Sequence, residues 1–373
     1  MKINSIESNN FKGYDARPLK GFFMGSNSHS IAEEMKKIGE REGFKVYAKI
    51  RSTRGSYCRP AIPTLSPFGS TKDLWAQDVI TFCKDRLLAF TNHHETASIC
   101  DFFNIKRIVT NKHISGGNIF IVNNEGKEDL FIGEKEFSNV TPRELKEIYN
   151  IDKIHILPQM DFHLDLFIRP LDKKRILVAD DEMTLKVLET GFTKFKEFIK
   201  SKKQEKNPIS QAIIENFNEL ILEFKFDSSI NKAPKSKDII EKIKQAGFTP
   251  ISVPGRIYTT NLERYNKTSL SHDCNYINAN VLINKEGDLV YITNKSNIDK
   301  RLGLESDFTK EFDFRFEKEF IKSISPYVKP EKIYFIDGDD NYVSKTMLKE
   351  MLGGIHCTCS EIPLNIGIKN DKS

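Results

Sequence analysis

The feature of this sequence that most constrains its fold is a pattern that occurs twice: an amphipathic helix that ends at a glycine and continues as a strand. In the first copy, apolar residues recur at helical spacing over residues 31–38, Gly43 ends the helix, and apolar and polar residues alternate over residues 44–50. The second copy covers residues 236–253 and places Gly247 at the same point. Two copies of one order of elements predict a fold assembled from similar structural units.

Short apolar runs elsewhere in the chain predict further strands, and helical patterns separate them. The predicted strands cover residues 118–124, 162–171, 175–180, 275–284, 288–294 and 332–337. Strands that alternate with helices favour an α/β fold. A chain of 373 residues is long enough for one large domain with its own core. We therefore expect a single domain over residues 1–373, with a helical insertion at about residues 182–235.

Two polar side chains share one face of the predicted strand at 162–171. The apolar residues of this stretch alternate to one side, which leaves His163 and Asp165 together on the other, roughly 7 Å apart along the strand. By itself, this pattern is typical of a His–Asp pair on the exposed face of a sheet. It would also suit a site in which both side chains act on one ligand.

Three further motifs can each be explained by structure alone. Trp75, the only tryptophan, stands three residues before Asp78, which is the pattern of a core residue followed by a cap or a turn. The sequence Gly116-Gly117-Asn118 precedes a strand and predicts a turn. Asn278 lies among apolar residues, where a buried amide needs hydrogen-bond partners. Each motif alone is weak evidence for a functional site.

Near the C-terminus, the sequence GGIHCTCSEIP places His356, Cys357 and Cys359 behind two glycines. These residue types are compatible with a metal site, a packed strand or a nucleophilic cysteine at a turn. Zinc ligands usually come with a paired spacing that this stretch lacks, which disfavours a zinc site built from these residues and His163. The acidic run at 337–341 lacks the glycine and the final glutamate of a calcium loop. We therefore expect no metal and no cofactor, and the sequence does not support a calcium dependence.

Taken in order, these motifs resemble those of the guanidine-modifying superfamily. Its members carry a W-x-[RQ]-D segment, a G-G-N turn, an H-x-D strand, an asparagine on an apolar strand and a C-terminal G-G-x-H-C. The matching segments are Trp75-Ala-Gln-Asp78, Gly116-Gly117-Asn118, His163-Leu-Asp165, the segment around Asn278 and Gly353-Gly354-Ile-His356-Cys357, from about residue 70 to residue 363. The resemblance implies an α/β fold of the pentein type, a five-bladed α/β-propeller in which pseudo-repeated ββαβ units surround a central active-site cleft.

The resemblance assigns the catalytic roles to Cys357, His163, Asp165 and Asp78. A guanidinium carbon is a poor electrophile, and a thiolate nucleophile divides its reaction into two easier steps through a covalent intermediate. Carboxylates match the planar guanidinium, so Asp78 and Asp165 are expected on either side of the substrate. His163 is expected to transfer protons. Both carboxylates should raise the pKa of Cys357, which predicts that its reactivity depends on a bound cation.

Three other residues complete the expected substrate site. Trp75 is expected either to pack against the guanidinium plane or to belong to the core. Asn118 and Asn278 are expected at the substrate together with the two carboxylates. The glycines before Cys357 are expected to let the chain pass close to the substrate, and Cys359 is expected to be structural.

The predicted function is hydrolytic deimination of an arginine-type guanidinium through a covalent thiouronium on Cys357, with release of ammonia. Gln77 in place of arginine, and the sequence around 162–190, look like the protein-arginine deiminases and favour a protein or peptidyl arginine. Pro363 and the compact length look more like the agmatine deiminases, so agmatine or free arginine is the alternative. A further alternative is an amidinotransferase reaction carried out by the same Cys, His and Asp residues. A pentein used only for binding would have lost catalytic residues, and all four are present here.

Charge and composition disfavour other classes of protein. The 57 basic and 52 acidic residues are interspersed, and a net charge of +5 is too small for a nucleic-acid surface. Apolar runs are too short to span a membrane, and the first residues lack the apolar segment of a secretory signal. The six cysteines show no disulfide spacing. Reduced thiols and a cytoplasmic location are therefore expected, with signal-less secretion as an alternative.

Overall fold

The computed structural model describes residues 19–24, 29–48, 75–83, 85–89, 94–110, 112, 114–124, 127–138, 140–230, 236–261, 269–348, 353–364 and 366. In chain order the strands are β1 (Leu19–Met24), β2 (Lys45–Ala48), β3 (Ile80–Phe82), β4 (Arg86–Ala89), β5 (Lys106–Val109), β6 (Ile119–Asn124), β7 (Lys127–Gly133), β8 (Lys153–Leu157), β9 (Ile168–Pro170), β10 (Arg175–Ala179), β11 (Thr249–Val253), β12 (Arg256–Asn261), β13 (Ser269–Asn275), β14 (Asn280–Ile283), β15 (Leu289–Asn294), β16 (Ile333–Ile336) and β17 (Cys359–Pro363). The α-helices are α1 (His29–Glu42), α2 (Ala76–Val79), α3 (His94–Phe103), α4 (Pro142–Tyr149), α5 (Asp181–Ser201), α6 (Pro208–Ile230), α7 (Ser236–Gln245), α8 (Ile298–Arg301) and α9 (Phe316–Ile324).

Five small sheets share one topology. In each, a first strand pairs antiparallel with a middle strand, which pairs in parallel with a third strand that follows a helical crossover. The five strand orders are β17-β1-β2, β3-β4-β5, β6-β7-β8, β9-β10-β11 and β14-β15-β16, and β12 and β13 form a separate hairpin. The predicted α/β class is confirmed, and the two copies seen in the sequence belong to a set of five.

The two copies of the helix–glycine–strand pattern lie in two of these crossovers. Gly43 leads from α1 into β2 and Gly247 from α7 into β11, with φ angles of 85° and 89°. Glycine adopts these left-handed angles without the penalty that a Cβ would cause, which explains why the helices end there. The crossover from β10 to β11 also contains α5 and α6, which fall within the helical insertion predicted at about residues 182–235.

The predicted strand at 162–171 is wrong over most of its length. Its first part is a 3-10 turn over Leu164–Leu166, and only Ile168–Pro170 forms a strand. The side chain of Asn118 donates to the Phe162 carbonyl at 3.1 Å and accepts from the Leu164 N–H at 3.0 Å. Because a side chain from another segment takes these backbone groups, no ladder can form there.

The predicted strand at 275–284 is also interrupted. β13 ends at Asn275, β14 begins at Asn280, and Asn278 lies in the turn between them. The side-chain oxygen of Asn275 accepts from the backbone N–H groups of Ile277 and Asn278, both at 3.1 Å, which stabilises the turn.

The residues singled out by the motifs occupy equivalent places in the five sheets. Each lies one to three residues before the first strand of its sheet: Asp78 before β3, Asn118 before β6, Asp165 before β9, Asn278 before β14 and Cys357 before β17. The α2 helix contacts the 3-10 turn Gly116–Asn118, and this turn contacts Leu164–Leu166. The repeated topology therefore brings distant segments of the chain to one place.

Apolar clusters lie between the sheets and the helices that cross over them. The largest combines residues of β9, β10, α5 and α6 with residues of β15 and α9. A second packs α1 against β1, β14 and β15, and it includes Ile355 and Cys359 from the C-terminal segment. These clusters fix the ends of the strands that carry the site. Of the helices in the described part of the chain, none combines the length and apolarity needed to cross a membrane.

Candidate active site

The thiol of Cys357 lies among buried polar side chains, with 6% of the residue exposed. Its Sγ donates a hydrogen bond to Oδ2 of Asp165 at 3.2 Å and accepts one from Nδ2 of Asn278 at 3.1 Å. Three segments of the chain thus converge on one sulfur atom. Cys359, two residues on, is fully buried in the apolar cluster of β1, and burial raises its pKa to about 12.

Asp165 is fully buried, and its two oxygens have different surroundings. Oδ2 accepts from Cys357 and from Nδ1 of His356 at 2.9 Å. Oδ1 has no hydrogen-bond partner among the described residues. Burial alone would raise the pKa of this carboxyl, but the hydrogen bond from His356 and the nearby His163 ring outweigh burial and lower the pKa. The site therefore holds an ionised carboxylate with one open oxygen, which is an arrangement that favours a cation.

His163 and Asp165 meet at Gly117, although they do not share a strand face. A methyl group added at Gly117 would overlap ring atom Nδ1 of His163 and would lie 3.0 Å from Oδ1 of Asp165. The His163 ring also packs at a tilt against the exposed ring of Phe162, with centroids 4.7 Å apart. The absence of a side chain at Gly117 thus leaves room beside the open oxygen.

Asn118 holds the segment that carries these two residues. Its Nδ2 donates to Oε1 of Glu136 at 2.6 Å and to the Phe162 carbonyl at 3.1 Å. Its Oδ1 accepts from Nε2 of Gln159 at 2.7 Å and from the Leu164 N–H at 3.0 Å. Both polar atoms of this buried amide are therefore engaged by protein groups.

Asp78 lies at the side of the site formed by α2. Its Oδ1 accepts from the backbone N–H of Gly116 at 2.9 Å, and the residue is half-buried. Its negative charge is one of the causes that raise the pKa of Cys357, after burial and the charge of Asp165. Asp78 therefore adds a second negative charge that disfavours the thiolate.

The two glycines before Cys357 make room for protein side chains. A methyl group at Gly353 would overlap the outer edge of the Trp75 ring, and one at Gly354 would collide with the amides of Asn294 and Asn278. Trp75 also packs against the apolar cluster around α1. The glycines were predicted to let the chain pass close to the substrate, but in the structure the groups closest to them are Trp75 and the asparagines. Trp75 is also partly a core residue.

A set of buried asparagines fixes the backbone before Cys357. Oδ1 of Asn278 accepts from the His356 N–H at 2.9 Å, and Oδ1 of Asn294 accepts from the Ile355 N–H at 2.7 Å. Nδ2 of Asn294 in turn donates to the carbonyls of Asn275 and Asn278. The sequence motifs identified Asn278 but missed the other two, for which the only signal was an amide at the end of an apolar strand.

The surroundings of Cys357 favour its protonated form. Burial, followed by the charges of Asp165 and Asp78, raises its pKa well above the usual value. The hydrogen bond from Asn278 acts in the opposite direction and is outweighed. The electrostatic conflict expected from the sequence is therefore present in the structure.

No protein-family model matches this sequence, and no curated protein matches it. Among solved structures, the chain is similar to C. jejuni agmatine deiminase, with 16% identity, a TM-score of 0.49 and coverage of 93% of this chain and 94% of that chain. A cysteine-to-serine variant of C. jejuni agmatine deiminase with substrate bound gives 15% identity, a TM-score of 0.48 and the same coverage. For DDAH from Pseudomonas aeruginosa, a cysteine-to-serine mutant complexed with citrulline, the identity is 11%, the TM-score 0.28 and the coverage 43% of this chain and 70% of that chain.

His356 belongs to the C-terminal G-G-x-H-C motif, but no catalytic role was predicted for it. Its ring is buried, donates to Asp165 and stacks on Phe120 with centroids 5.5 Å apart. Burial and the positive charge of Arg169 lower the pKa of His356, against the opposing effect of Asp165. The ring is therefore neutral at ordinary pH. No simple spacing rule marks this residue, because its partner lies 191 positions away.

No group of three or more His, Cys, Asp or Glu side chains is arranged to hold a metal ion in the described ranges. Among the described residues, no disulfide joins Cys83, Cys100, Cys274, Cys357 or Cys359. Cys58 lies outside the described residues. What the arrangement offers chemically is a buried thiol, two carboxylates and a histidine around a small space.

Proposed function

We propose that this protein hydrolyses the guanidinium group of an arginine-type substrate. The observation that carries the proposal is the unpartnered Oδ1 of the ionised, buried Asp165, which lies beside the thiol of Cys357. A buried anionic oxygen without a donor is unfavourable in the free protein, and a planar cation with N–H groups would satisfy it. Few biological groups other than guanidinium supply both features.

The proposed reaction has two stages. The thiol proton of Cys357 passes to His163, the sulfur forms a bond to the guanidinium carbon, and the C–N bond to one terminal nitrogen breaks to give a thiouronium. His163 gives this proton to the departing nitrogen, which leaves as ammonia. Water, deprotonated by His163, then adds to the same carbon and the C–S bond breaks. One of the two water protons returns to the sulfur and the other is taken up by ammonia. The net reaction consumes one water and yields a ureido product, ammonium and the free enzyme.

Asp165 and Asp78 hold the substrate in this proposal. Each accepts N–H groups from one side of the guanidinium plane, so that orientation and charge neutralisation occur together. The bound cation also offsets the two carboxylates that disfavour the thiolate of Cys357. Trp75 is proposed to wall the site, since its ring already packs on Gly353.

The two asparagines are proposed to position catalytic groups instead of contacting substrate. Asn118 has both polar atoms engaged by protein groups, and it holds the turn that carries His163 and Asp165. Asn278 bonds the sulfur of Cys357 and the backbone of His356. Each therefore acts on the substrate through the residue that it fixes.

We propose that a protein or peptidyl arginine is the favoured substrate, because of Gln77 and the sequence around 162–190. Agmatine or free arginine is the alternative substrate, and amidino transfer to an amine is the alternative reaction. We further propose that residues 1–373 form a single domain whose five similar sheets are the blades of a five-bladed α/β-propeller. No cofactor enters the proposed reaction, and calcium is treated as a variable of the assay.

The proposal is tested by incubating the purified protein with an arginine peptide, free arginine and agmatine, with and without calcium, and measuring ureido product and ammonia. A parallel reaction with an added amine acceptor detects amidino transfer. Cys357→Ala should abolish product while the protein stays folded. Cys359→Ala is the matched control, because Cys359 lies two residues away but packs in the core. Loss of product in Cys359→Ala alone, or no turnover of any guanidine compound, would contradict the proposal.

A further inference from the structure

His356 and Cys357 both donate hydrogen bonds to the same oxygen of Asp165. Nδ1 of His356 and Sγ of Cys357 lie 2.9 Å and 3.2 Å from Oδ2, respectively. Oδ1 is left without a partner among the residues described. When Cys357 loses its proton, its hydrogen bond to Oδ2 is lost and two anionic atoms face each other. His356 is then the donor that still neutralises Oδ2 and still fixes the carboxylate plane.

The protonation of the His356 ring can be deduced from its partners. Asp165 is ionised and has no proton to give, so Nδ1 of His356 carries the hydrogen of the 2.9 Å bond. Since the ring is neutral, Nε2 bears a lone pair. Nε2 of Gln77 lies 3.2 Å from Nδ1 and 3.3 Å from Nε2 of His356, so it contacts both ring nitrogens and selects neither tautomer. The tautomer is therefore set by Asp165, which accepts the hydrogen carried by Nδ1.

Charged groups on three elements face this ring. Asp165 approaches from the turn before β9, Arg169 from β9 and Glu361 from β17. Oε1 of Glu361 lies 3.9 Å from Nε2 of His356 and accepts from Nη2 of Arg169 at 2.6 Å. His356, Gln77 and Glu361 also line a cavity of about 40 Å³. The His356 ring therefore contacts the buried carboxylate of Asp165 and also lines this cavity.

We propose that His356 is the positioning residue that binds Asp165 through Oδ2 and so presents Oδ1 to the substrate guanidinium. This inference rests on the proposed function, because it assigns Oδ1 to the guanidinium. It extends that function to the ring of His356, which takes no direct part in the proposed reaction but holds the plane of the carboxylate.

The test compares two substitutions of the same side chain. His356→Asn keeps an amide N–H near the place of Nδ1, whereas His356→Leu keeps volume without a donor. In His356→Leu we expect a KM for the guanidine substrate raised about tenfold or more, as for loss of a hydrogen bond to a charged group. We expect the acid limb of kcat/KM to move to higher pH, since the pKa of Asp165 is lowered by this bond. His356→Asn should stay within about threefold of the wild type.

His155 offers a matched control for the general cost of removing a buried histidine. Its Nε2 bonds Oδ2 of buried Asp129 at 2.9 Å, and its ring stacks on Phe131 with centroids 4.7 Å apart. This pair resembles His356–Asp165 on Phe120 but spans β7 and β8, and the proposed reaction does not use it. His155→Leu is expected to lower stability and to leave the acid limb of kcat/KM in place.

A measurement that needs no turnover separates this inference from the proposed function. The pH dependence of alkylation at Cys357, located by mass spectrometry, should move to higher pH in His356→Leu but not in His356→Asn. If wild type turns over no guanidine compound but this thiol shift occurs, only the proposed function fails. If folded His356→Leu keeps the wild-type thiol titration, KM and acid limb, the positioning role is wrong.

Discussion

Sγ of Cys357 lies 3.2 Å from Oδ2 of Asp165, so the proposed nucleophile faces an anion in the free protein. Burial and the charges of Asp165 and Asp78 raise its pKa well above the usual value. The sulfur is therefore a thiol at neutral pH, and a substrate without positive charge cannot make it a thiolate. The carboxylates that are proposed to bind the substrate cation thus also disfavour the thiolate until that cation is bound.

A small guanidinium compound should increase ionisation of Cys357. The bound cation offsets the two carboxylates, and each pKa unit by which the thiol is lowered gives about tenfold more thiolate. The ultraviolet absorbance of the thiolate, followed against pH with and without the compound, measures this directly and does not require an alkylating agent to enter an occupied site. Cys357→Ala supplies the blank. A thiolate signal that is already complete at neutral pH without any cation would contradict the expected dependence.

Asp165→Asn should separate binding from thiol reactivity. Loss of the negative charge removes the principal charge that raises the pKa of Cys357, so alkylation of the free protein at fixed pH should become faster. Turnover should nevertheless fall by about a hundredfold or more, because charge-assisted hydrogen bonds to the substrate are lost. Asp129→Asn, at the buried His155 pair, is the control. Equal changes in both variants would mean that the effect is structural.

The sequence predicted those features that depend on local signals. Gly43 and Gly247 end helices because their left-handed φ is a property of glycine itself, and apolar alternation gave the α/β class. The strand predicted at 162–171 was wrong because the amide of Asn118 captures its backbone from 44 and 46 positions away. Periodicity within a segment carries no information about such a distant partner.

The residues proposed for the site stand in recognisable motifs, and their catalytic roles stay predictions. The structure places Cys357 in contact with Asp165, and His163 beside Asp165 at Gly117. The supporting contacts could not be predicted. Asn294 has no motif of its own, and the G-G-x-H-C motif that contains His356 does not indicate that its ring binds a carboxylate. Their partners are 61 and 191 positions away, so only the folded chain shows these contacts.

Two glycine substitutions should distinguish space for substrate from space for protein. Gly117→Ala places a methyl group against His163 and Oδ1 of Asp165, so we expect activity to fall by about tenfold or more with the fold retained. Gly353→Ala places its methyl group on the Trp75 ring, and overpacking of this kind costs about 1–3 kcal/mol of unfolding free energy. Because Trp75 is the only tryptophan, its fluorescence should change in Gly353→Ala. Unchanged fluorescence there, or unchanged activity in Gly117→Ala, would contradict these contacts.

Acid should destabilise the protein through the His356–Asp165 pair. The pKa values of both groups are lower in the folded protein than in the unfolded chain, so both bind protons more readily when unfolded. Their stabilising effect is complete above the unfolded pKa values, about 6.5 for histidine and 3.9 for aspartate, and it decreases as the pH falls through the folded values. A single histidine of this kind contributes a slope of at most about 1.4 kcal/mol per pH unit below pH 6.5. Urea unfolding at pH 7 and pH 5 should therefore show a larger loss of unfolding free energy in wild type than in His356→Leu, whose leucine cannot take up the proton. Equal losses in the two proteins would mean that His356 does not titrate with unfolding.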